Sequence, residues 1–141
     1  NNTVPVSYAR AEPDYNTILV ASNRSYYTMH EFGHSFAKLG DEYNYGAPVV
    51  VDPWFPNCAN DTVGYTCEEK WGDKIGQDGV GCFETCGPTN WYRPTYSDSV
   101  MRNIYVDHFD PVSTPLVDNL LSIYSDRLPK PIRGNYIPIM R

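Results

Sequence analysis

The sequence lacks the features that would place the chain in a membrane or on a nucleic acid. No apolar run approaches the roughly 20 residues that a membrane-spanning helix needs. Lys and Arg number 11 against 17 Asp and Glu, the net charge is −6, and no basic cluster is present. Because nucleic-acid binding depends on a basic surface, we expect no nucleic-acid partner. Internal repeats and low-complexity segments are missing too, which excludes a repeat architecture.

The sequence also lacks an initial Met and a recognisable signal peptide, so it looks like a mature product or a piece of a longer chain. Its 141 residues, 41% of them apolar, suit one compact domain over residues 1–141, and no domain boundary is visible. Residues 17–21 (TILVA) predict a strand. A mixed α+β domain would have several such strands, and we therefore expect further sequence upstream.

Cysteine is scarce but even in number, with Cys58, Cys67, Cys82 and Cys86. In a loop-rich chain with 12 prolines and 12 tyrosines, this predicts disulfides and a secreted protein. Three pairings are possible, and we favour the local one, Cys58–Cys67 with Cys82–Cys86. The alternative, a cysteine zinc site, is disfavoured because the spacings match no common zinc pattern. Glycosylation acceptor triplets begin at Asn1, Asn23 and Asn60, in agreement with secretion.

The most informative segment carries the pattern His-Glu-x-x-His, formed by His30, Glu31 and His34. Residues four apart lie on the same face of a helix, so the two imidazoles can bind one metal ion. Glu31 is then close enough to contact a water on that metal and act as a general base. Around the motif, apolar residues follow a 3.6-residue period, which predicts a helix over residues 26–39. The alternative is a buried helix whose histidines are satisfied by hydrogen bonds.

A catalytic zinc site needs a third protein ligand. Asp41 and Glu42 follow His34 by seven and eight residues, and Gly40 could end the helix in a left-handed conformation that turns the chain back. We favour Asp41 as the ligand, with Glu42 second. The other carboxylate would hold a ligand histidine in place. For Tyr43 we favour a core role over that of a hydrogen-bond donor to the transition state.

The remainder of the chain predicts loops and one more helix. Residues 61–90 contain many glycines and three of the four cysteines, and they read as a stapled loop region anchored by Trp71 and Phe83. Asp110-Pro111 and Ser113 are helix-start signals, and apolar residues then follow helical periodicity to residue 128. Pro129 stops that helix.

With these motifs in hand, the chain resembles the metzincin-like zinc peptidases and, among them, the immunoglobulin A peptidase family. The resemblance rests on YYTMHEFGHSF leading into LGDEY, on residues 71–86 ending in GVGCFETC, and on YRPT leading to SVMR. It covers roughly residues 17–103. It implies a zinc endopeptidase with His30, His34 and Asp41 around the metal and Glu31 as the base. It also identifies Met101 with the family's Met-turn, an apolar floor beneath the zinc site.

The sequence departs from the metzincin pattern at two positions. Ala37 stands where a Gly is usual, and Gly40 stands where the third ligand is usual, so that Asp41 comes one place later. The catalytic class is carried over from the family, but its substrate specificity is not.

Taken together, the sequence predicts an α+β fold with an active-site helix, a small mixed sheet, long disulfide-stapled loops and a C-terminal helix. The predicted function is that of a secreted Zn²⁺-dependent endopeptidase acting on a protein or peptide substrate. One alternative is a non-catalytic, peptidase-like structural or binding module in an extracellular assembly. Another is a zinc hydrolase with a non-peptide substrate, such as a deacetylase.

Overall fold

A computed structural model describes residues 8–12, 17–21, 25–44, 53–87 and 90–127. Its elements, in chain order, are β1 (Tyr8–Glu12), β2 (Thr17–Ala21), α1 (Ser25–Ala37), α2 (Cys67–Trp71), a 3₁₀ turn (Gly72–Lys74), β3 (Val80–Glu84), β4 (Tyr92–Thr95) and α3 (Ser113–Arg127). The α+β class is therefore as predicted. The described helices include none that is long and apolar enough to cross a bilayer.

The strands form two separate antiparallel pairs, β1 with β2 and β3 with β4. The prediction of a mixed sheet is wrong for the described residues. Only four residues separate β1 from β2 in the chain, and a parallel pair would need a crossover of a dozen or more. The predicted strand at residues 17–21 is confirmed as β2. β1 escaped prediction because Ala and Glu are weak strand formers, and its sequence YARAE has no β-branched residue.

Helix α1 lies on the first hairpin and also packs against α3. A core cluster forms beside it from the buried side chains of Ala37, Leu39, Val100, Met101 and Val117, with Met29, Phe32, Phe109, Leu116 and Leu120 packed around them. The cluster joins one face of α1 to residues that lie far along the chain. Burial of this apolar surface is what fixes the helix that carries the His-Glu-x-x-His motif.

Helix α1 ends two residues before the predicted boundary, and the residue that ends it is not Gly40. Lys38 adopts the left-handed conformation, with φ of 55°, and the Leu39 N–H donates to the Gly33 carbonyl at 3.1 Å. Glycine is required at position 40 because the surrounding side chains leave no room for a Cβ atom. A Cβ there would lie 2.6 Å from the Phe55 ring and 2.9 Å from the Cys58 sulfur.

Residues 53–87 and 90–95 build a second packed unit from α2 and the paired strands β3 and β4. Trp71 is fully buried among Ala59, Cys67 and Val80, and its indole N–H donates to the Gly81 carbonyl at 2.9 Å. The anchoring role predicted for Trp71 is confirmed, whereas Phe83 is only half-buried. Strand β4 lies in a part of the chain for which the sequence had predicted only loops.

The disulfides join Cys58 to Cys86 and Cys67 to Cys82, so the predicted local pairing is wrong. Cys82 lies within extended strand β3, whose rise of about 3.3 Å per residue carries the chain away from it before Cys86 is reached. Long-range pairing sets the partners instead. Ala59 pairs with Tyr92 and Tyr92 with Glu84, which brings the segment at Cys58 to the end of β3.

Helix α3 begins at Ser113, as predicted. The Asp110 carboxylate oxygen Oδ1 accepts the Val112 N–H at 2.8 Å and the Ser113 N–H at 2.9 Å. These bonds satisfy amide groups that have no partner within the helix. The expected stop at Pro129 and the triplets at Asn1 and Asn23 lie outside the described residues.

Replacing both Cys58 and Cys86 with Ala should lower the free energy of unfolding by about 3.5 kcal/mol, because that disulfide closes a loop of 28 residues. Replacing Cys67 and Cys82, which are 15 residues apart, should cost about 3 kcal/mol. Urea unfolding of the two double variants beside the wild type measures both values. A loss below about 1 kcal/mol for the first pair would contradict the assignment.

Candidate metal centre

Helix α1 brings the two histidines of the motif together on one face. The imidazole nitrogens Nε2 of His30 and His34 are 3.1 Å apart, and the two rings meet edge to face with centroids 4.7 Å apart. His30 is buried and His34 is largely buried. The spacing expected from helical periodicity is thus present.

The hydrogen bonds of the outer ring nitrogens determine what the inner ones can do. Nδ1 of His30 donates to the Val100 carbonyl at 2.9 Å, and Nδ1 of His34 donates to the Leu39 carbonyl at 2.6 Å. A carbonyl only accepts, so each Nδ1 carries the proton. In the neutral imidazoles, each Nε2 therefore presents a lone pair to the space between the rings.

Asp41 adds a third acceptor at the same point. Its oxygen Oδ1 lies 3.0 Å from Nε2 of His30 and 3.2 Å from Nε2 of His34. That oxygen is buried and lacks a conventional hydrogen-bond donor. A proton on one imidazole would satisfy only one of these contacts, whereas a cation among the three atoms satisfies all of them. Buried acceptors left without a partner are costly.

The three atoms suit a small, borderline-soft metal ion. Tetrahedral zinc, with bonds of about 2.0–2.1 Å, separates its ligand atoms by about 3.3 Å. The observed separations of 3.0, 3.1 and 3.2 Å are close to that value. The predicted set of His30, His34 and Asp41 therefore meets at one point, and it is the metal-competent group found among the described residues.

The charges of the three side chains act on one another. Burial would raise the pKa of Asp41, but the neighbouring imidazoles of His30 and His34 outweigh it, and the pKa lies at about 2. Burial lowers the pKa of His34, but Asp41 and the Leu39 carbonyl more than reverse that effect. Asp41 is thus an ionised carboxylate at neutral pH.

Glu31 is buried beside the metal-competent group. Its charge acts on His34, where it contributes to the raised pKa, and also on Tyr43. Glu31 is therefore near enough to both side chains for its charge to act on them, and it is not one of the three converging groups. The position fits the role of a base next to a metal.

Glu42 lies away from the metal centre. It is completely buried, and its oxygen Oε1 accepts the Asn57 side-chain amide at 2.9 Å and faces the Ser99 hydroxyl at 3.5 Å. Burial and the nearby charge of Asp110 raise the pKa of Glu42 well above its ordinary value. Glu42, the second-choice ligand, therefore does not meet the histidines. Its described hydrogen bonds do not orient either imidazole.

Met101 lies against α1 at Gly33, a residue that stands between the two histidines in the sequence. A Cβ on Gly33 would be 2.6 Å from the Met101 sulfur and 2.9 Å from the Phe109 ring, so Gly33 permits this close approach. Met101 is fully buried, and its carbonyl accepts the Glu42 N–H at 3.0 Å. The segment that carries Met101 therefore contacts both helix α1 and the loop that carries Asp41.

Tyr43 lies at the centre as well. Its ring stacks on His30 with centroids 6.1 Å apart, and burial followed by the charge and hydrogen bond of Asp41 raises the pKa of the phenol. The half-buried ring thus combines packing with a polar contact to the third acceptor. Sequence reasoning had favoured packing alone.

Two contributors could not be found from the sequence. The Val100 carbonyl accepts the His30 imidazole N–H from 70 residues away. Every residue has a backbone carbonyl, so the residue type does not show which one will be the acceptor. Asn57 reaches the Asp41 loop from a separate segment. No side-chain pattern in residues 53–60 marks it.

The chain matches no known protein family, and no curated protein is significantly similar to it. The resemblance to metzincin-like peptidases therefore rests on the motifs quoted above.

Gly40→Ala should destabilise the fold by about 1–3 kcal/mol, because the added methyl meets the Phe55 ring and a disulfide sulfur, neither of which can easily move. Gly72→Ala is the matched control, since its Cβ would meet only Glu68 at 3.6 Å. Thermal and urea unfolding of both variants test the prediction. Equal stability of the two variants would show that the contact at Gly40 is not tight.

Proposed function

We propose that this chain is a zinc-dependent endopeptidase in which His30, His34 and Asp41 hold the metal and Glu31 is the general base. The observation that carries the proposal is the convergence of three acceptor atoms within 3.2 Å of one another, with both imidazole protons committed to backbone carbonyls. A cation is the simplest partner for such a group, and two imidazoles with one carboxylate are typical zinc ligands.

Zinc bound by these residues would supply a Lewis acid that polarises a carbonyl and makes a water molecule acidic near neutral pH. Glu31 would take the proton from the attacking water and deliver it to the leaving amine. The Val100 and Leu39 carbonyls keep each imidazole in the tautomer that leaves Nε2 free to bind. Tyr43 would hold Asp41 through its hydroxyl.

A peptide substrate is favoured over other acyl compounds by the motif itself. His-Glu-x-x-His on a helix, followed by a carboxylate, is typical of peptidases. The position of Met101 beneath α1 supports the resemblance to the metzincins, where a Met lies under the metal. Two disulfides support a secreted location, because such bonds persist in oxidising compartments.

Elemental mass spectrometry should find about one zinc per chain in the wild type and none in His34→Ala, because two ligands rarely retain zinc. The chain offers a matched control in His108, its third histidine, which is exposed and contacts Asp98 and Asp107. His108→Ala should keep its zinc. A folded wild type that takes up no zinc after incubation with the metal would refute the proposal.

Glu31→Gln should cut the rate of casein hydrolysis by about 10²–10⁴-fold while leaving the zinc content unchanged, because only the base is lost. Glu68→Gln, on the exposed side of α2, is the control and should retain full activity. Undiminished hydrolysis by Glu31→Gln would rule out the assigned base. A wild type that binds a full equivalent of zinc but hydrolyses none of several unfolded proteins would favour the non-catalytic module.

A further inference from the structure

The third acceptor of the metal centre does not lie on a helix or a strand. Helix α1 ends at Ala37, and Asp41 follows on an irregular segment after the left-handed Lys38. A loop residue holds a ligand geometry only when other parts of the molecule restrain its backbone. The restraint on Asp41 can be identified from the contacts on either side of it.

The side chain of Asn57 makes those contacts. Its oxygen Oδ1 accepts the Gly40 N–H at 2.7 Å, and its nitrogen Nδ2 donates to the Gly40 carbonyl at 2.8 Å and to the Glu42 carboxylate at 2.9 Å. One amide therefore holds the residue before Asp41 and the residue after it. The orientation of the amide is set by its partners, because only Oδ1 can accept the Gly40 N–H.

Asn57 is itself rigidly held. It is fully buried, and the next residue, Cys58, forms the disulfide with Cys86. Ala59 then pairs with Tyr92 through two backbone hydrogen bonds of 2.9 Å. The amide thus projects from a segment that is tied covalently and by a β-bridge to the β3–β4 hairpin.

A lysine holds the backbone on both sides of Asn57. The Lys70 ammonium on α2 donates to the carbonyls of Pro53 at 2.8 Å, of Phe55 at 2.7 Å and of Cys58. These carbonyls lie in a segment without regular structure, so the ammonium replaces the partners that a helix or sheet would provide. The second packed unit therefore holds residues 53–58 as one rigid piece.

We propose that Asn57 is a positioning residue for the third ligand, and that it sets metal affinity by transmitting the rigidity of the disulfide-bonded unit to Asp41. The inference rests on the proposed function in one respect, the binding of metal by His30, His34 and Asp41. Without the amide, the buried Gly40 N–H and carbonyl lose their partners, and the backbone on which Asp41 lies must move to regain them. Groups that orient metal ligands from behind affect affinity about 10–100-fold.

The test compares zinc affinity by chelator competition in the wild type, Asn57→Ala and Asn57→Asp. We expect affinity to fall about 10–100-fold in Asn57→Ala. Asn57→Asp keeps the size of the side chain and the acceptor for the Gly40 N–H but cannot make both donated bonds, so its affinity should fall as well. If Asn57→Ala does not fold, this nearly isosteric variant carries the test.

A control must separate positioning from a general loss of stability. Leu120→Ala removes apolar volume from α3, outside both the disulfide-bonded unit and the loop of Asp41, and should destabilise the chain without changing zinc affinity. Cobalt provides the second readout, since its visible absorption reports the ligands around it. The Asn57→Ala spectrum should move toward that of Asp41→Ala, which lacks the carboxylate, whereas Leu120→Ala should match the wild type.

The outcomes distinguish the two proposals. Zinc affinity within twofold of the wild type in a folded Asn57 variant, with an unchanged cobalt spectrum, would overturn the positioning role alone. An equal loss of affinity in Leu120→Ala would overturn it too, because stability would then explain the effect. A wild type that binds neither zinc nor cobalt would refute the proposed function and the positioning role together.

Discussion

The rest of the structure depends on the close approach of three buried side chains, His30, His34 and Asp41. Nitrogen lone pairs from His30 and His34 and a carboxylate oxygen from Asp41 face one another at about 3 Å. Such an arrangement would spread apart unless the surrounding structure held it together or a positive charge lay between the atoms. The protein does hold it, through carbonyls behind each imidazole and a network behind the loop of Asp41. Much of the described packing serves this restraint.

The restraint comes from two directions that meet at the loop after α1. On one side, the segment around Met101 fits against Gly33 and binds the Glu42 N–H through its carbonyl. On the other side, the disulfide-bonded unit reaches Gly40 through Asn57 and packs the Cys58 sulfur against it. The loop is thus enclosed by its neighbours and does not depend on regular structure of its own. For this reason the irregular backbone at Asp41 is compatible with a fixed geometry.

The parts of the site that are local in sequence could be predicted, and the parts that depend on distant segments could not. The helix of His30 and His34 followed from periodicity, and Asp41 followed from its distance beyond the helix. The turn between them was assigned to Gly40, because glycine is the usual left-handed residue, yet Lys38 takes that conformation and Gly40 is required by crowding from Phe55. The disulfide partners depended on a β-bridge between residues 33 positions apart, Ala59 and Tyr92, which no local pattern reveals.

The hydrogen bond from His30 to the Val100 carbonyl has a consequence for when the group of His30, His34 and Asp41 forms during folding. The two residues are 70 positions apart in the chain. Contacts of such high sequence separation form only after a large loop has closed, which makes them slow and late in folding. A nascent chain that has exposed its His-Glu-x-x-His motif therefore carries both imidazoles long before it has the carbonyl that fixes the tautomer of His30. The motif is complete early, but the site it belongs to is a product of the folded chain.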